Sequence, residues 1–385
     1  MTWTGMRGIA PVPGYVVMQA STLCNLACTY CYLPDRAVHR PMPPAVARAV
    51  ADSVNPWAEE HPGFAVVWHG GEPLAAGRPA LAELMDVFVG VEHQVQTNAT
   101  LITDAWCAAL GASNVRVSIS VDGPEELNGH RIVRGMSRPA YPRIMKGVAA
   151  LRRHGIAFSA LCVVSAPRPG LAADLYGYFL ALGCDALGIS IEEQEGVNQR
   201  ANDEGDGAVR TFWSELLEAW RCDPRIRVRE IDHALGYAAA VLDGAADQVL
   251  PSRIDPMPMI MPDGRVVPLS PELAGFTDPT YGDFTVGNVL TTPLRDLVAD
   301  LEHTVPWAAE FVAGVEACRS GCEYFGFCGG AQAGNRFFEH GRFDGTVTNH
   351  CRNSKIRLLD GVMDLATTVG IAGLLAATNA ARVPQ

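Results

Sequence analysis

Residues 21–34 read STLCNLACTYCYLP and hold three cysteines, Cys24, Cys28 and Cys31, spaced C-x3-C-x2-C. Thiolates are soft ligands that select iron–sulfur clusters, zinc or copper. A structural zinc site closes with four ligands, which this spacing does not supply. A [4Fe–4S] cluster has four irons, so three thiolates leave one iron open to a substrate or cofactor. The spacing therefore favours a catalytic iron–sulfur cluster over structural zinc or three buried thiols.

Around this stretch, short apolar runs alternate with longer amphipathic ones, which predicts strands alternating with helices. The predicted strands are Tyr15–Gln19, Phe64–Trp68, His93–Gln96, Val115–Ser120, Phe158–Val164 and Ala186–Ile191. The predicted helices are Ala45–Val54, Leu81–Val89, a short helix capped by Asp104 and ending near Leu110, Tyr141–His154, Leu171–Leu182 and Val209–Trp220. Such alternation implies an α/β fold with parallel strands and right-handed crossovers.

Composition describes an ordinary globular protein of 385 residues with a net charge of −12, long enough for two domains. The acidic balance argues against a nucleic-acid partner, which needs a basic surface. The first twenty residues lack a signal peptide, and eleven cysteines without an export signal predict a cytoplasmic protein with metal-bound thiols. Leu365–Ala381 is too polar for a membrane span and predicts a docked helix or a frayed tail.

The cluster loop, with Tyr30 before its third cysteine, resembles the radical SAM superfamily. The resemblance implies a partial (β/α)6 TIM-type barrel whose open iron binds S-adenosylmethionine (SAM). Cys24, Cys28 and Cys31 then hold the [4Fe–4S] cluster, and a radical derived from SAM abstracts a hydrogen atom. The cofactor carries this chemistry, so the protein has to bind the cofactor, orient it against the substrate and exclude competing reactions.

In barrels the chemistry lies at the C-terminal ends of the strands. There the chain reads HGGEP (69–73), QTN (96–98), SISVDGP (118–124) and then HRIVR (130–134), which are similar to the family's cofactor motifs. By this resemblance the SAM-binding residues are Tyr30, Gly70, Gly71, Glu72, Asn98, Ser120 and Arg131. Ordinary turns or a solvated arginine remain the alternatives, and Arg134 is the fallback because Asn128-Gly129 replaces the family's usual His-Asp pair.

The second half of the chain opens with a predicted hairpin, Met259–Pro268, with Asp-Gly at its turn. The hairpin and the four later cysteines resemble a SPASM domain, and they match the ligands of its outer auxiliary [4Fe–4S] cluster. Those four are Cys318, Cys322, Cys328 and Cys351. No cysteine lies between Cys222 and Cys318, and PLSPEL (268–273) stands where the inner cluster's first ligand is expected. We therefore expect one auxiliary cluster, with zinc as the alternative.

Finer strings narrow the resemblance to cyclophane-forming radical SAM/SPASM peptide maturases of the GrrM/OscB type. These strings are CNLACTYCYLPDR, VWHGGEP, QTNATLI, IEEQEG, SPELAGF, CGG and TVTNHCR. The branch implies a ribosomally made precursor peptide as substrate, an external electron donor of the flavodoxin or ferredoxin type, and a crosslink from a side-chain carbon to an aromatic ring. To complete the crosslink, one electron leaves through the auxiliary cluster and a base accepts one proton. Glu193 is our first choice of base, with Asp263 and Tyr324 behind it.

Three outcomes compete within the same enzyme class: epimerisation, thioether formation, and oxidation of a Ser or Cys side chain. Epimerases need a thiol donor in the barrel, for which Cys162 and Cys184 are candidates. A non-catalytic iron–sulfur or zinc protein is the remote alternative. The expected divisions are an N-terminal segment (1–13), the barrel (14–230), a linker (231–254), the SPASM-like domain (255–360) and a tail (361–385). We expect no leader-binding domain before the barrel.

Overall fold

A computed structural model describes residues 8–113, 115–200, 206–371 and 373–375. The strands are β1 Tyr15–Met18, β2 Ala65–Trp68, β3 Glu92–Thr97, β4 Arg116–Ser120, β5 Phe158–Val164, β6 Ala186–Ile191, β7 Arg227–Val228, β8 Met259–Ile260 and β9 Val266–Val267. They form one sheet in the order β7-β6-β5-β4-β3-β2-β1-β8-β9. This order has two ends, so the sheet curls without closing into a full barrel.

Strands β1 to β7 run parallel, each paired with the next. The helices of this part are α1 Pro44–Glu60, α2 Arg78–Met85, α3 Asp104–Ala112, α4 Tyr141–Arg153, α5 Leu171–Leu182, α6 Asp206–Cys222 and α7 Arg229–Leu242. The predicted α/β fold with six strand–helix units is confirmed. Because all seven strands point the same way, their C-terminal ends meet at one edge, where the site is expected.

The predicted helix Leu81–Val89 is α2, which instead begins at Arg78, ahead of Pro79, and ends at Met85. Two other predicted helix boundaries were wrong for reasons of packing and capping. Helix α1 continues past Val54 and through Pro56, because the buried Trp57 packs on Phe64 with ring centroids 5.9 Å apart. That contact outweighs the backbone hydrogen bond that a proline removes. Helix α3 is capped by Thr103 rather than Asp104, since the Thr103 hydroxyl accepts from the Trp106 N–H at 3.3 Å.

The two faces of the barrel sheet differ in exposure. Val66 and Trp68 face the helices and are fully buried, and Trp68 meets Phe88 just beyond α2 edge-on. Val67 and its register partner Gln94 point to the opposite, inner face and are half-buried. The same alternation runs through β5, whose inner residues are half-buried between fully buried outer ones. In β6 it is interrupted, because the inner-face Gly188 is buried. The inner face of β2, β3 and β5 is therefore less fully covered than the face against the helices.

The predicted hairpin is present and extends the barrel sheet. Met259 of β8 pairs in parallel with Val17 of β1, and β9 returns antiparallel to β8. Its turn contains Asp263 and Gly264, and Gly264 has φ +87°. The second half of the chain thus begins as a continuation of the first half's sheet.

The helices after the hairpin are α8 Leu294–Val298, α9 Leu301–Thr304, α10 Pro306–Gly321, α11 Phe325–Cys328, α12 Ala333–His340, α13 Asn349–Cys351 and α14 Arg357–Val369, with a π-helical turn at Arg352–Ile356. Helix α14 packs along α6, and the Trp213 indole donates to the Asn353 carbonyl at 2.7 Å. Residues 376–381 of the predicted C-terminal helix lie outside the described part. Within that part no helix could span a bilayer. The domain boundaries stay predictions.

Candidate functional site

The three-cysteine loop follows β1 directly at the C-terminal edge of the sheet. Cys24, Cys28 and Cys31 are half-buried. Burial, and then the carboxylate of Glu72, raises the pKa of Cys24 to about 12, while burial raises the pKa of Cys28 to about 11. The Cys28 and Cys31 thiolates further raise the pKa of Cys24, and the Cys31 thiolate further raises that of Cys28, because the three lie close together. A compact set of partly buried thiols, two of which resist ionising alone, is suited to a cationic metal centre.

Two arginines hold the backbone of this loop. Arg36 donates from Nη1 to the Cys31 carbonyl at 2.9 Å and from Nη2 to the Cys28 carbonyl at 3.1 Å. Arg134 donates from Nε to the Cys24 carbonyl at 2.7 Å. The sequence interpretation missed Arg36, although it closes the string CNLACTYCYLPDR, and it named Arg134 only as a fallback SAM contact. Both guanidinium groups fix the loop and bring positive charge to it.

Glu72 joins the ends of β2 and β3 beneath the loop. Its buried carboxylate accepts from the Thr97 hydroxyl at 2.6 Å, the Asn98 N–H at 2.8 Å and the Leu74 N–H at 3.1 Å. Burial raises the pKa of Glu72 to about 7, against the lowering effect of these three donors. Its own N–H donates to the Leu23 carbonyl at 2.9 Å, so the turn is tied to the cluster loop.

Gly71 lets that turn approach the loop. Its φ is +104°, and a Cβ there would lie 2.5 Å from the Ser21 carbonyl oxygen. Gly70 has φ +84° and lies against Met259 and Gln19. Gly71 therefore serves a close backbone approach, which the sequence interpretation expected for a ligand and the structure shows for the cluster loop, whereas Gly70 packs on side chains outside the loop.

Asn98 and Ser120 follow at the ends of β3 and β4. The Asn98 carboxamide donates to Asn25 Oδ1 at 2.9 Å and to Cys24 Sγ at 3.8 Å. Ser120 is half-buried and lies in register with Leu161 on the inner face. Both residues thus lie at the edge where the resemblance places SAM, and their SAM contacts stay predictions.

Arg131 is engaged by Asp122 in a buried, two-pronged ion pair. Its Nε donates to Asp122 Oδ2 at 2.9 Å and its Nη2 to Oδ1 at 2.8 Å. The Tyr30 hydroxyl donates to the same carboxylate at 2.7 Å, and Arg131 Cζ lies 5.5 Å from the Tyr30 ring centroid. Burial raises the pKa of Tyr30 well above its usual value. The structure therefore joins Tyr30 and Arg131 through Asp122, which the sequence interpretation left as a possible loop cap.

An acidic group lies beyond β6, where the barrel meets the second half of the chain. Glu193 pairs through Oε1 with His350 Nδ1 at 2.7 Å, and Asn335 donates to its other oxygen. Burial would lower the pKa of His350, but the Glu193 carboxylate outweighs it and the pKa is raised. Glu193, our first candidate base, is thus paired with His350 and Asn335 between the two halves of the molecule.

A second carboxyl pair completes the acidic group. Ser270 donates to Glu272 Oε2 at 2.6 Å and accepts from the Gly334 N–H at 3.0 Å. Glu195 is packed beside them, since a Cβ on Gly334 would lie 3.5 Å from its Oε1. Burial, and then the Glu272 carboxylate, raises the pKa of Glu195 well above its usual value. The PLSPEL segment thus contributes Glu272, with Ser270 hydrogen-bonded to it, to a group of half-buried carboxyl side chains.

The other two candidate bases are engaged in local structure. Asp263 is exposed at the hairpin turn and pairs with Arg265 at 2.9 Å. The Tyr324 hydroxyl donates to Asp360 at 2.8 Å, and burial raises the pKa of Tyr324 to about 12. Their roles as base stay predictions, as does that of Glu193, which alone of the three lies at the mouth of the barrel beside other buried carboxyl groups.

Comparison with known proteins decides the family. The radical SAM superfamily profile matches residues 18–166. An uncharacterised protein of Synechocystis sp. is 30% identical over 355 residues, covering 88% of this chain and 88% of that protein. The chain belongs to the radical SAM superfamily.

Two further likenesses are to a sulfatase-maturating enzyme and to a structure solved with a bound peptide. The serine-type anaerobic sulfatase-maturating enzyme of Bacteroides thetaiotaomicron is 29% identical over 230 residues, which are 54% of this chain and 55% of that enzyme. Native anSMEcpe, solved with bound AdoMet and the Cp18Cys peptide, has 19% identity and a TM-score of 0.69 over 97% of this chain and 100% of that one. At this identity the second likeness shows the fold, a radical SAM barrel with a SPASM-like region.

The cofactor prediction is confirmed at the level of the family. Radical SAM proteins use SAM with a [4Fe–4S] cluster, and three half-buried thiols on an arginine-held loop fit that group. Glu72 and the Tyr30–Asp122–Arg131 set border the loop, and their contacts with SAM stay predictions.

The four later cysteines of this radical SAM protein line one cavity of about 150 Å³, together with Phe325. The Cys351 thiol donates to Cys328, which lowers the pKa of Cys328. No three His, Cys, Asp or Glu side chains of the described ranges converge as they do around a single metal ion. Four thiols around a common cavity suit the corners of an auxiliary [4Fe–4S] cluster, which takes one thiolate per iron.

Two other cysteines bear on the reaction outcome. Leu161 and Val163 point to the inner face of β5, so strand alternation turns Cys162 towards the helices. Cys184 precedes β6 at the opposite end of the sheet, where its thiol donates to the Phe179 carbonyl at 3.7 Å. Neither thiol points into the barrel cavity as an epimerase donor would.

Proposed function

We propose that the protein is a radical SAM maturase that forms a carbon–carbon crosslink between a side chain and an aromatic residue of a ribosomally made peptide. The observation that carries the proposal is the placement of the three-cysteine loop and of Glu193 at the same edge of the sheet, after the C-terminal ends of β1 and β6. The similarity to sulfatase-maturating enzymes, and to anSMEcpe with its bound peptide, supports a peptide substrate.

Bound beside the three-cysteine loop, SAM and its cluster supply the radical that removes a hydrogen atom from the substrate. The chain's own residues do the rest. Arg36 and Arg134 fix the loop, and Glu72 fixes the turn against it. These contacts hold the cofactor site in place before the peptide binds, so little conformational entropy has to be lost during the reaction.

The crosslink needs a proton acceptor. A carbon radical on the peptide adds to the aromatic ring, which becomes aromatic again by losing one electron and one proton. We assign the proton to Glu193, because its carboxyl group lies at the barrel mouth and is hydrogen-bonded to His350 and Asn335. Burial and the Glu272 carboxylate raise the pKa of the neighbouring Glu195, which favours its neutral form, so Glu195 is the weaker candidate.

Oxidation of a Ser or Cys side chain is the second candidate. The similarity to the serine-type sulfatase-maturating enzyme favours it. Epimerisation loses support from the structure, because Cys162 points towards the helices. Oxidation and crosslinking share the hydrogen-abstraction step and differ in what the peptide radical meets next.

The deciding experiment is co-expression with the short peptide encoded beside the gene, followed by mass analysis. Crosslinking predicts a loss of two hydrogens per link and a peptide segment that resists backbone fragmentation. An equal mass loss with normal fragmentation and reaction with a hydrazide probe would establish serine oxidation instead. An unchanged mass with altered chirality would establish epimerisation.

A matched in vitro assay tests the class itself. The reduced, reconstituted protein should release 5′-deoxyadenosine from SAM, and Cys24→Ser should abolish release while Cys107→Ser, a buried thiol of α3, retains it. No release above background from the wild type would remove every enzymatic interpretation.

We further propose a cytoplasmic location and an external flavodoxin or ferredoxin as electron donor. The reduced thiols required at both cysteine sites favour a reducing compartment. Replacing dithionite by reduced flavodoxin in the release assay should sustain 5′-deoxyadenosine formation, and failure with both flavodoxin and ferredoxin would contradict the choice of donor.

A further inference from the structure

Arg336 of α12 is a fully buried cation beside the four-cysteine cavity. Its exposed fraction is 0%, and its Nη2 lies 3.4 Å from Cys318 Sγ. The guanidinium also donates to the Gly330 carbonyl at 2.5 Å and the Phe343 carbonyl at 3.2 Å. Its Cζ lies 5.2 Å from the Phe311 ring centroid. Every contact is therefore with a neutral group or a cysteine sulfur.

No carboxylate of the described ranges lies within ion-pair distance of Arg336, and its buried Nε has no hydrogen-bond partner. A buried charge without a counter-ion is costly, and proteins normally pair it. Carbonyl dipoles and an aromatic face offset only part of that cost. Among the contacts of Arg336 in the described residues, a cysteine sulfur of the cavity is the one that can carry negative charge, because the nearby Asp344 carboxylate pairs with Arg342 at 3.2 Å instead.

A [4Fe–4S] cluster with four thiolates carries a net negative charge, because the thiolates outnumber the positive charges of the oxidised core. One-electron reduction adds a further negative charge. A cation that is shielded from water and touches a ligand sulfur favours the reduced form, since hydrogen bonds to sulfur and net charge set cluster potentials.

We propose that Arg336 is the built-in counter-ion of the auxiliary cluster and sets its reduction potential. This inference rests on the proposed cluster at Cys318, Cys322, Cys328 and Cys351. It makes Arg336 a positioning residue that acts through the cluster, with no contact to the peptide required.

The test is a potentiometric titration with dithionite, followed by electron paramagnetic resonance of the reduced cluster. Replacing Cys24, Cys28 and Cys31 together by alanine removes the first cluster and isolates the auxiliary one. In this background Arg336→Met should lower the ratio of reduced to oxidised cluster at a fixed potential by tenfold or more, which is about 59 mV for one electron. Arg336→Lys keeps the charge and should shift the ratio less.

Arg319→Met is the matched control. Arg319 follows Cys318 directly, but it lies at the surface and pairs with Glu316. Solvent should screen its charge, so this variant should leave the ratio within about twofold of the background. A shift as large as that of Arg336→Met, or no shift in Arg336→Met, would overturn the proposal.

Iron content separates this inference from the assignment of the cluster. If the background protein binds no iron, the cluster assignment fails and Arg336 needs another partner. Unfolding of the iron-free protein gives a second readout: Arg336→Met should raise its urea midpoint, because an unpaired charge is removed, and lower the midpoint of the loaded protein. If Arg336→Met retains no iron, Arg336→Lys must still retain it; loss in both variants would show a packing role only.

Discussion

At the scale of single residues, the candidate site depends on side chains whose task is to fit rather than to react. Gly71 lies so close to the Ser21 carbonyl oxygen that an added Cβ would be 2.5 Å from it, and its φ is positive. Asp122 joins Tyr30 to Arg131 inside the barrel. Sequence motifs pointed to Gly71, Tyr30 and Arg131, but the ion pair with Asp122 became visible only in three dimensions.

Replacing Gly71 by alanine separates steric conflict from backbone strain. The positive φ alone should cost about 1–2 kcal/mol, and the contact with the loop should add about 1–3 kcal/mol of overpacking. We expect Gly71→Ala to lower the free energy of unfolding by the sum and to weaken SAM binding. Urea unfolding and isothermal titration with SAM measure the two effects.

Gly77→Ala is the control for that experiment. Gly77 has φ +87° but nothing within 4 Å of an added Cβ, so it should show the strain alone and normal SAM affinity. Equal losses of unfolding free energy in the two variants would mean that the cluster loop moves aside at no cost, and would contradict the role given to the close contact at Gly71.

At the scale of elements, the pair β2–β3 illustrates how a buried histidine couples an element to pH. The Trp68 indole donates to His93 Nδ1 at 3.1 Å, which fixes His93 as a neutral acceptor. Burial lowers the pKa of His93 to about 4. The unfolded chain therefore takes up a proton at higher pH than the native protein does, and stability from this residue is lost as the pH falls below 6.5.

We predict that this titration removes about 2 kcal/mol of stability between pH 7 and pH 5. His93→Gln keeps an acceptor for the Trp68 indole but cannot titrate, so its stability should fall less over the same interval. Urea unfolding of the iron-free protein at both pH values gives the comparison. The exposed His61 supplies the control, because His61→Gln should retain the wild-type dependence; identical slopes for all three proteins would contradict the assignment.

At the scale of the whole molecule, the two halves are joined by a shared sheet and by helix contacts, of which that between α14 and α6 is the most extensive. The hairpin strand β8 lies against β1, and α14 lies along α6. Gly361 allows this helix contact, since a Cβ there would lie 2.8 Å from the Arg210 carbonyl and 3.1 Å from Trp213 Cβ. Helix α14 begins just after Cys351, so the contact also positions a ligand of the auxiliary site.

Gly361→Ala should therefore act on both stability and metal content. Overpacking between α6 and α14 predicts a loss of about 1–3 kcal/mol in the free energy of unfolding, and displacement of Cys351 predicts less iron at the auxiliary site. Gly177→Ala in the exposed face of α5 meets nothing within 4 Å. It should gain up to about 1 kcal/mol from helix propensity. A gain in both variants would show that the helices separate without cost.

Much of this protein could be predicted from local patterns. Strands β5 and β6 and helix α5 have the bounds that apolar periodicity predicts. The cysteine spacing predicts the three-cysteine loop. Local patterns failed where distant packing intervened, as in the extension of α1 through Pro56 by the contact of Trp57 with Phe64. They also gave no sign of Arg36 as a clamp, because its partners are carbonyl groups, which every residue has.

The sequence by itself determined the alternation of strands and helices, the two sets of cysteines and the family motifs, because each of these is written in neighbouring residues. Tertiary structure alone decided which charges meet. Glu193 and His350 are 157 positions apart, and Arg336 reaches Cys318 from a different helix. Such pairs depend on how whole elements pack and on which of them exclude water, and those are properties of the folded chain rather than of any stretch within it.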